Sequence, residues 1–158
     1  MWAALVMGVM TGCDIGSRPP AGRIRVPEPI DLLLPKKISI HSFSGRRWLD
    51  KDKRVRGVDV QVEVTDSYGG ATKAFGTFRF EMYAYRSNNA DPKGLQVTMW
   101  EIPVLDAKTN LVHWDGLTRK YRFRLQWDRP LAPGEPFILE AVFSSPFTER
   151  LFDERLFE

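Results

Sequence analysis

From Lys36 onward, apolar and polar residues alternate with a period of two, the mark of strands that bury one face and wet the other. Val58, Val60, Val62 and Val64 alternate with Asp59, Gln61, Glu63 and Thr65. Phe78, Phe80 and Met82 alternate with Arg79, Glu81 and Tyr83, and Leu95, Val97 and Met99 with Gln96, Thr98 and Trp100. Tyr121, Phe123, Leu125 and Trp127 do the same against Lys120, Arg122, Arg124 and Gln126. Ile38 and Ile40 give a shorter run, and Phe137, Leu139, Ala141 and Phe143 a longer one. Turn chemistry separates these runs: Tyr68-Gly69-Gly70, the Asn-Asn and Asp-Pro of residues 87–94, Asp115-Gly116, and Pro133-Gly134. No segment before the tail carries a helical period.

Six to eight such strands over roughly 110 residues predict an all-β protein, two antiparallel sheets packed face to face as a sandwich. Strands of a parallel sheet, buried on both faces, would instead read as continuous apolar runs. The tail, residues 148–158, repeats Glu-Arg-Leu-Phe at an interval of five, which fits neither strand nor helix. It is expected to pack against the sandwich edge, with a short helix burying Phe147, Leu151 and Phe152 as the alternative.

The front of the chain has a different character. Residues 2–12 are uncharged and mostly apolar, and the run stops at Cys13. Eleven residues are too few to span a bilayer as a helix, and the length suits the apolar region of a secretory signal. Met10-Thr11-Gly12-Cys13 resembles a bacterial lipobox. The resemblance implies cleavage before Cys13, lipidation of its thiol, and a location on the cell envelope facing periplasm or exterior. The alternative is a buried apolar segment with a free core cysteine. Residues 14–37 hold five Pro and two Gly and read as an extended linker. The organisation expected is therefore a signal over 1–12, a lipidated Cys and Pro-rich linker over 13–35, the sandwich over 36–147 and the tail over 148–158.

Two stretches resemble known secreted sandwiches. Residues 57–85, with alternating Val, an Asp-x-x-Gly turn and Gly-x-Phe-x-Phe, look like the opening strands of a prealbumin-like (transthyretin-like) domain. Residues 130–143, PLAPGEPFILEAVF, are similar to the corner leading into a late strand of immunoglobulin-like domains. In overall style the chain resembles the small lipoproteins of environmental bacteria, whose sandwiches are mostly binding or spacer modules.

Composition narrows the chemistry. One Cys among 158 residues excludes an internal disulfide and any zinc site built on several thiolates. Only two His are present. No metal and no cofactor is expected. Residues 1–60 hold 11 Lys or Arg against six Asp or Glu, and residues 61–158 hold 12 against 14, so basic character belongs to the front. Nucleic-acid binding would want cations concentrated on one face with stacking aromatics between them, and it is not expected.

Three groups of residues carry candidate sites. Arg46, Arg47, Arg54 and Arg56, with Lys51 and Lys53, make a basic loop suited to a polyanion, or a solvated loop. Its Asp50 and Asp52 superficially suggest a calcium loop, but Arg54 and Val55 stand where an EF-hand needs an oxygen ligand and Gly. Lys120, Arg122 and Arg124 project from one strand face about 7 Å apart, where they could track an anionic polymer or pair with acids across the sheet. Trp48, Trp100 and Trp114 are candidates for stacking sugars, whereas Trp127 is in phase with the core. His41 and His113 would need a neighbouring carboxylate or hydroxyl to do catalytic work, and Asp59 and Glu63 sit on a polar strand face where solvation is the default. The function expected is a membrane-anchored envelope lipoprotein with a non-catalytic binding or spacer sandwich, partnered by the membrane and by envelope polysaccharide or another envelope protein. The alternatives are a carbohydrate- or polyanion-recognition module and a small envelope hydrolase.

Overall fold

The structure, a computed structural model, describes residues 23–28, 30–127, 131–132 and 134–158. The apolar run of residues 2–12, Cys13 and the start of the linker lie outside the described residues. After a 3-10 turn at Ile30–Leu33 come β1 (Lys37–Ile40), β2 (Gly45–Trp48), β3 (Arg56–Thr65), β4 (Gly76–Tyr85) and β5 (Lys93–Val104). A short helix, α1 (Ala107–His113), leads to β6 (Trp114–Asp115), β7 (Lys120–Gln126), β8 (Phe137–Ser144) and β9 (Leu151–Phe157). The protein is all-β, an antiparallel sandwich. One sheet runs β1-β3-β7-β6, with β2 paired farther along the same edge of β3 as β1, and the other runs β5-β4-β8-β9.

The alternation read from the sequence accounts for the core. Val58, Val60, Val62 and Val64 are fully buried on β3. They face an aromatic cluster in which the Phe78 ring lies 4.8 Å from Phe143 and 5.0 Å from Phe123, centre to centre. Offset and tilted rings at such spacings add to the burial of their area. The two open sides of the sandwich are each closed by one cross-sheet hydrogen bond. The Ile40 amide donates to Asp153 Oδ2 at 2.6 Å, and the Trp100 indole N–H donates to the Gln126 carbonyl at 2.6 Å.

Three elements depart from the alternation. In β5 the register against β4 slips, with Met82 opposite Thr98 and Tyr83 opposite Gln96, so Val97 is the extra residue of a bulge. Beyond the bulge Trp100 and Ile102 pack against the core and Val104 is buried in it, while Met99 faces solvent. Residues 107–113 form a helix that starts with a capping box, Asp106 accepting from the Thr109 amide. The tail is neither loop nor helix: residues 151–157 form β9, hydrogen-bonded to β8 at the sheet edge.

The registers also define two ends. The start of β1, end of β3, starts of β4 and β7, end of β8 and start of β9 lie together. The linker arrives there: the Leu32 carbonyl accepts from the Ser67 amide, the Leu33 carbonyl from the Thr72 hydroxyl, and the Ile24 amide donates to the Pro146 carbonyl. The β2–β3 hairpin, the end of β7, the start of β8 and the end of β9 form the far end.

Candidate functional site

At the far end a cavity of about 290 Å³ opens between the β2–β3 hairpin and the connection from β7 to β8. Antiparallel pairing places Arg47 opposite Gly57 and Trp48 opposite Arg56, which brings a basic and an aromatic pair from a single hairpin to its wall. The hairpin loop is held by Asp50, whose carboxylate accepts from the Arg54 and Val55 amides at 2.9 and 2.8 Å. Those amides, Val55 foremost, hold the Asp50 carboxyl below its ordinary value. Gly57 is required by close approach. A Cβ there would meet the Leu125 carbonyl oxygen at 2.3 Å and Leu49 Cδ1 at 2.4 Å.

Each arginine has a distinct setting. The Arg56 guanidinium lies over the Trp48 ring, 4.5 Å from its centre, a cation–π contact that restrains both side chains. Arg47 Nε stands 3.7 Å from Asp59 Oδ2. Arg46 reaches inward, its guanidinium 4.9 Å from the centre of the Phe137 ring and its Nη1 donating to the Ala132 carbonyl at 3.4 Å. Its Nε and Nη2 are buried without a hydrogen-bond partner, and so is the indole nitrogen of Trp127. Burial lowers the Arg46 pKa from its ordinary value, and the nearby Glu135 carboxylate opposes the shift.

The chemistry of the cavity follows. Among the described lining residues, the hydrogen-bonding side chains are donors: the guanidiniums of Arg46 and Arg56 and two indoles, with Leu131, Gly57 and Gly134 supplying apolar or bare-backbone wall. The Arg47 guanidinium is turned to Asp59 and the Phe43 carbonyl on the outer face of the sheet. Nε and Nη2 share one edge of a guanidinium, the edge that binds a carboxylate or phosphate in a two-pronged fashion. Buried donors of this kind are normally satisfied by protein, water or ligand. The lining is therefore complementary to an acceptor-rich, negatively charged group with a flat or apolar body.

Arg46, Arg56 and Trp48 are thus brought together, while Arg47 lines the cavity with its head group turned to Asp59, which it shares with Arg122, and Arg54 remains on the hairpin loop outside the lining. Lys120, Arg122 and Arg124 lie elsewhere, on the outer face of β7. Arg122 makes a two-pronged pair with Asp59, which is 3% exposed, and that contact raises the Arg122 pKa. Lys120 Nζ lies 3.5 Å from the Thr118 carbonyl. Trp100 packs on the core side of β5, and Trp114 is half-buried edge-on to Tyr121 at 5.1 Å. Sequence reasoning missed Trp127 and Leu131 as lining residues. The signal lay in the position of Trp127 just past the end of β7, where an inward side chain meets the open end of the sandwich.

The histidines are apart from the cavity. His41 Nδ1 accepts from the Phe43 amide at 3.4 Å, and His113 Nδ1 lies 3.3 Å from the Arg122 carbonyl. Among the described residues, no cluster of three or more His, Cys, Asp or Glu is placed to hold a metal ion, and no helix is long and apolar enough to cross a membrane. Compared with known proteins, the chain matches no family model, no curated protein and no solved structure.

Proposed function

We propose that the protein is a non-catalytic β-sandwich, tethered to a bacterial envelope through Cys13, that binds an anionic, sugar-sized group in the arginine–tryptophan cavity. The observation that carries this reading is the donor-only lining with Arg46 Nε and Nη2 left without partners. A volume of about 290 Å³ is at the small end of ligand cavities and suits one sugar acid or sugar phosphate rather than a long polymer segment. Stacking against the half-exposed Trp48, on the face that Arg56 leaves open, would hold the ring, and the guanidinium edge would hold the charge. Envelope polysaccharides carrying carboxylates or phosphates present such groups.

Two further features support the reading. The cavity lies at the end opposite the linker, so a chain anchored at Cys13 would present it away from the membrane. The strand order β1-β3-β7-β6 over β5-β4-β8-β9 follows the A-B-E-D and C′-C-F-G order of immunoglobulin-like domains, which favours that likeness over the prealbumin-like one. The histidines contact backbone groups rather than a carboxylate or hydroxyl, which favours binding over hydrolysis.

Two measurements test the two halves of the proposal. Intact mass of the protein recovered from bacterial membranes should show residues 1–12 removed and lipid added, both abolished by Cys13→Ala; an unmodified chain retaining Met1 overturns the tether. Thermal unfolding with glucuronate or inorganic phosphate should rise with ligand concentration, whereas glucose should have no effect. A rise with glucose equal to that with glucuronate overturns the anion site.

A further inference from the structure

The end of the sandwich that receives the linker carries an inverted helix. α1 has no buried residue. Its polar Asn110 turns inward, the amide nitrogen donating to the Ala74 carbonyl at 2.6 Å and the carbonyl oxygen accepting from the Tyr121 hydroxyl. Its apolar Leu111 and Val112 face outward at 63% and 72% exposure, the reverse of a helix whose apolar stripe faces the core. Leu117, on the following turn, is 93% exposed. Phe75, Leu105 and Leu111 line a shallow concavity of about 500 Å³ beside them. An apolar surface gathered in this way marks an interaction site.

We infer that this end is a lipid-facing surface: Leu111, Val112 and Leu117 insert among the headgroups of an anionic membrane. Charge favours lipid. Lys73, Lys108 and Arg119 stand around the patch and outnumber its acids Asp106 and Asp115, which keep their charge while accepting from the Thr109 and Leu117 amides. Basic residues around an apolar patch complement a negatively charged leaflet. Geometry favours it as well. The linker is fixed to this end through Leu32 and Leu33, and the ten residues from Cys13 to Arg23 reach at most about 35 Å. A lipid on Cys13 therefore keeps this end, the one that receives the linker, within about 35 Å of the bilayer. The inference rests on the tethered reading, and it adds that the domain lies on the membrane in one orientation.

The test uses the full chain recovered from membranes with Leu117→Cys, and in parallel Lys51→Cys on the opposite hairpin loop, each labelled with an environment-sensitive fluorophore. Once Cys13 is consumed by lipidation, the introduced thiol is the one that reacts. In vesicles of phosphatidylglycerol and phosphatidylcholine, the label at 117 should shift to the blue and be quenched by brominated acyl chains, and the label at 51 should do neither. Adding Leu111→Ser and Val112→Ser should reduce the quenching at 117 severalfold. A label at 117 that stays in water overturns the inference, as does one buried at high protein concentration without vesicles, which would mark a second copy as the partner. A chain whose mass carries no lipid overturns the tether instead, so the two failures are distinct.

Discussion

The guanidinium of Arg46 stacks 4.9 Å from the centre of the Phe137 ring, with one of its edges buried and unpartnered. A donor left unsatisfied costs about 1–3 kcal/mol, so this side chain opposes the stability of the empty protein. Replacing it with an apolar chain of similar length removes the cost and keeps the stacking volume. Arg46→Met is therefore expected to leave the urea midpoint of the ligand-free protein unchanged or raise its stability by about 1 kcal/mol. A clear loss of stability would mean that Arg46 serves the fold rather than the site.

Gly57 forms the floor of the same cavity. Gly57→Ala places a methyl group against the Leu125 carbonyl, and the backbone of β3 or β7 must move to relieve it. Overpacking of this kind costs about 1–3 kcal/mol. Chemical denaturation should report that loss, and thermal stabilisation by glucuronate should weaken with it, because the displaced strand carries Arg56.

Tyr121 joins the sheet to α1 and to the β3–β4 connection. Its ring is fully buried, and its hydroxyl accepts from the Ala74 amide at 2.8 Å while donating to Asn110. Tyr121→Phe leaves the amide and the Asn110 oxygen without partners and should destabilise the protein by about 1–3 kcal/mol. Hydrogen exchange at Ala74 should quicken in the variant. An unchanged exchange rate would contradict this placement.

Stability should fall in alkali because of Tyr83. Its hydroxyl donates to the Glu81 carboxylate, and that bond, then burial, then the charges of Glu81 and Glu140 push its pKa up from 10.0 to about 12. The folded state holds this proton more tightly than the unfolded state does. The contribution is therefore fully present below the unfolded value of about 10 and is lost as pH rises through about 12. Tyr83→Phe should flatten the alkaline limb of the stability profile between those values. A limb identical in both proteins would sink the assignment.

Much of the fold was legible in the sequence, and the exceptions have physical reasons. The Val58–Val64 alternation and the Phe78, Phe123 and Phe143 rings located the core strands directly, because those strands bury one regular face, and their assignment to two sheets came from the pairing. In β5 the bulge at Val97 inverted the phase, so Trp100 became a core residue that donates across the sandwich. The tail hid its strand because both of its faces mix polar and apolar residues: Leu151 and Phe157 pack on the core with Asp153 between them meeting the Ile40 amide, while Phe152 is 74% exposed. The helix was illegible for a related reason, since Leu111 and Val112 point outward and Asn110 inward. For the cavity, the sequence offered a pool of cations and indoles. Only strand register selected Arg46, Arg47, Arg56 and Trp48 from it and added Trp127 from just past the end of β7.

Calorimetric titration of the full chain with glucuronate and with glucose, for wild type beside Arg46→Met, tests the central claim most directly. A two-pronged charge-assisted contact is worth at least one tenfold step in affinity. The account predicts saturable binding of glucuronate to the wild type, binding at least about tenfold weaker in the variant, and none of glucose in either. Equal binding of the two sugars, glucuronate binding untouched by Arg46→Met, or no binding of glucuronate at all would contradict it.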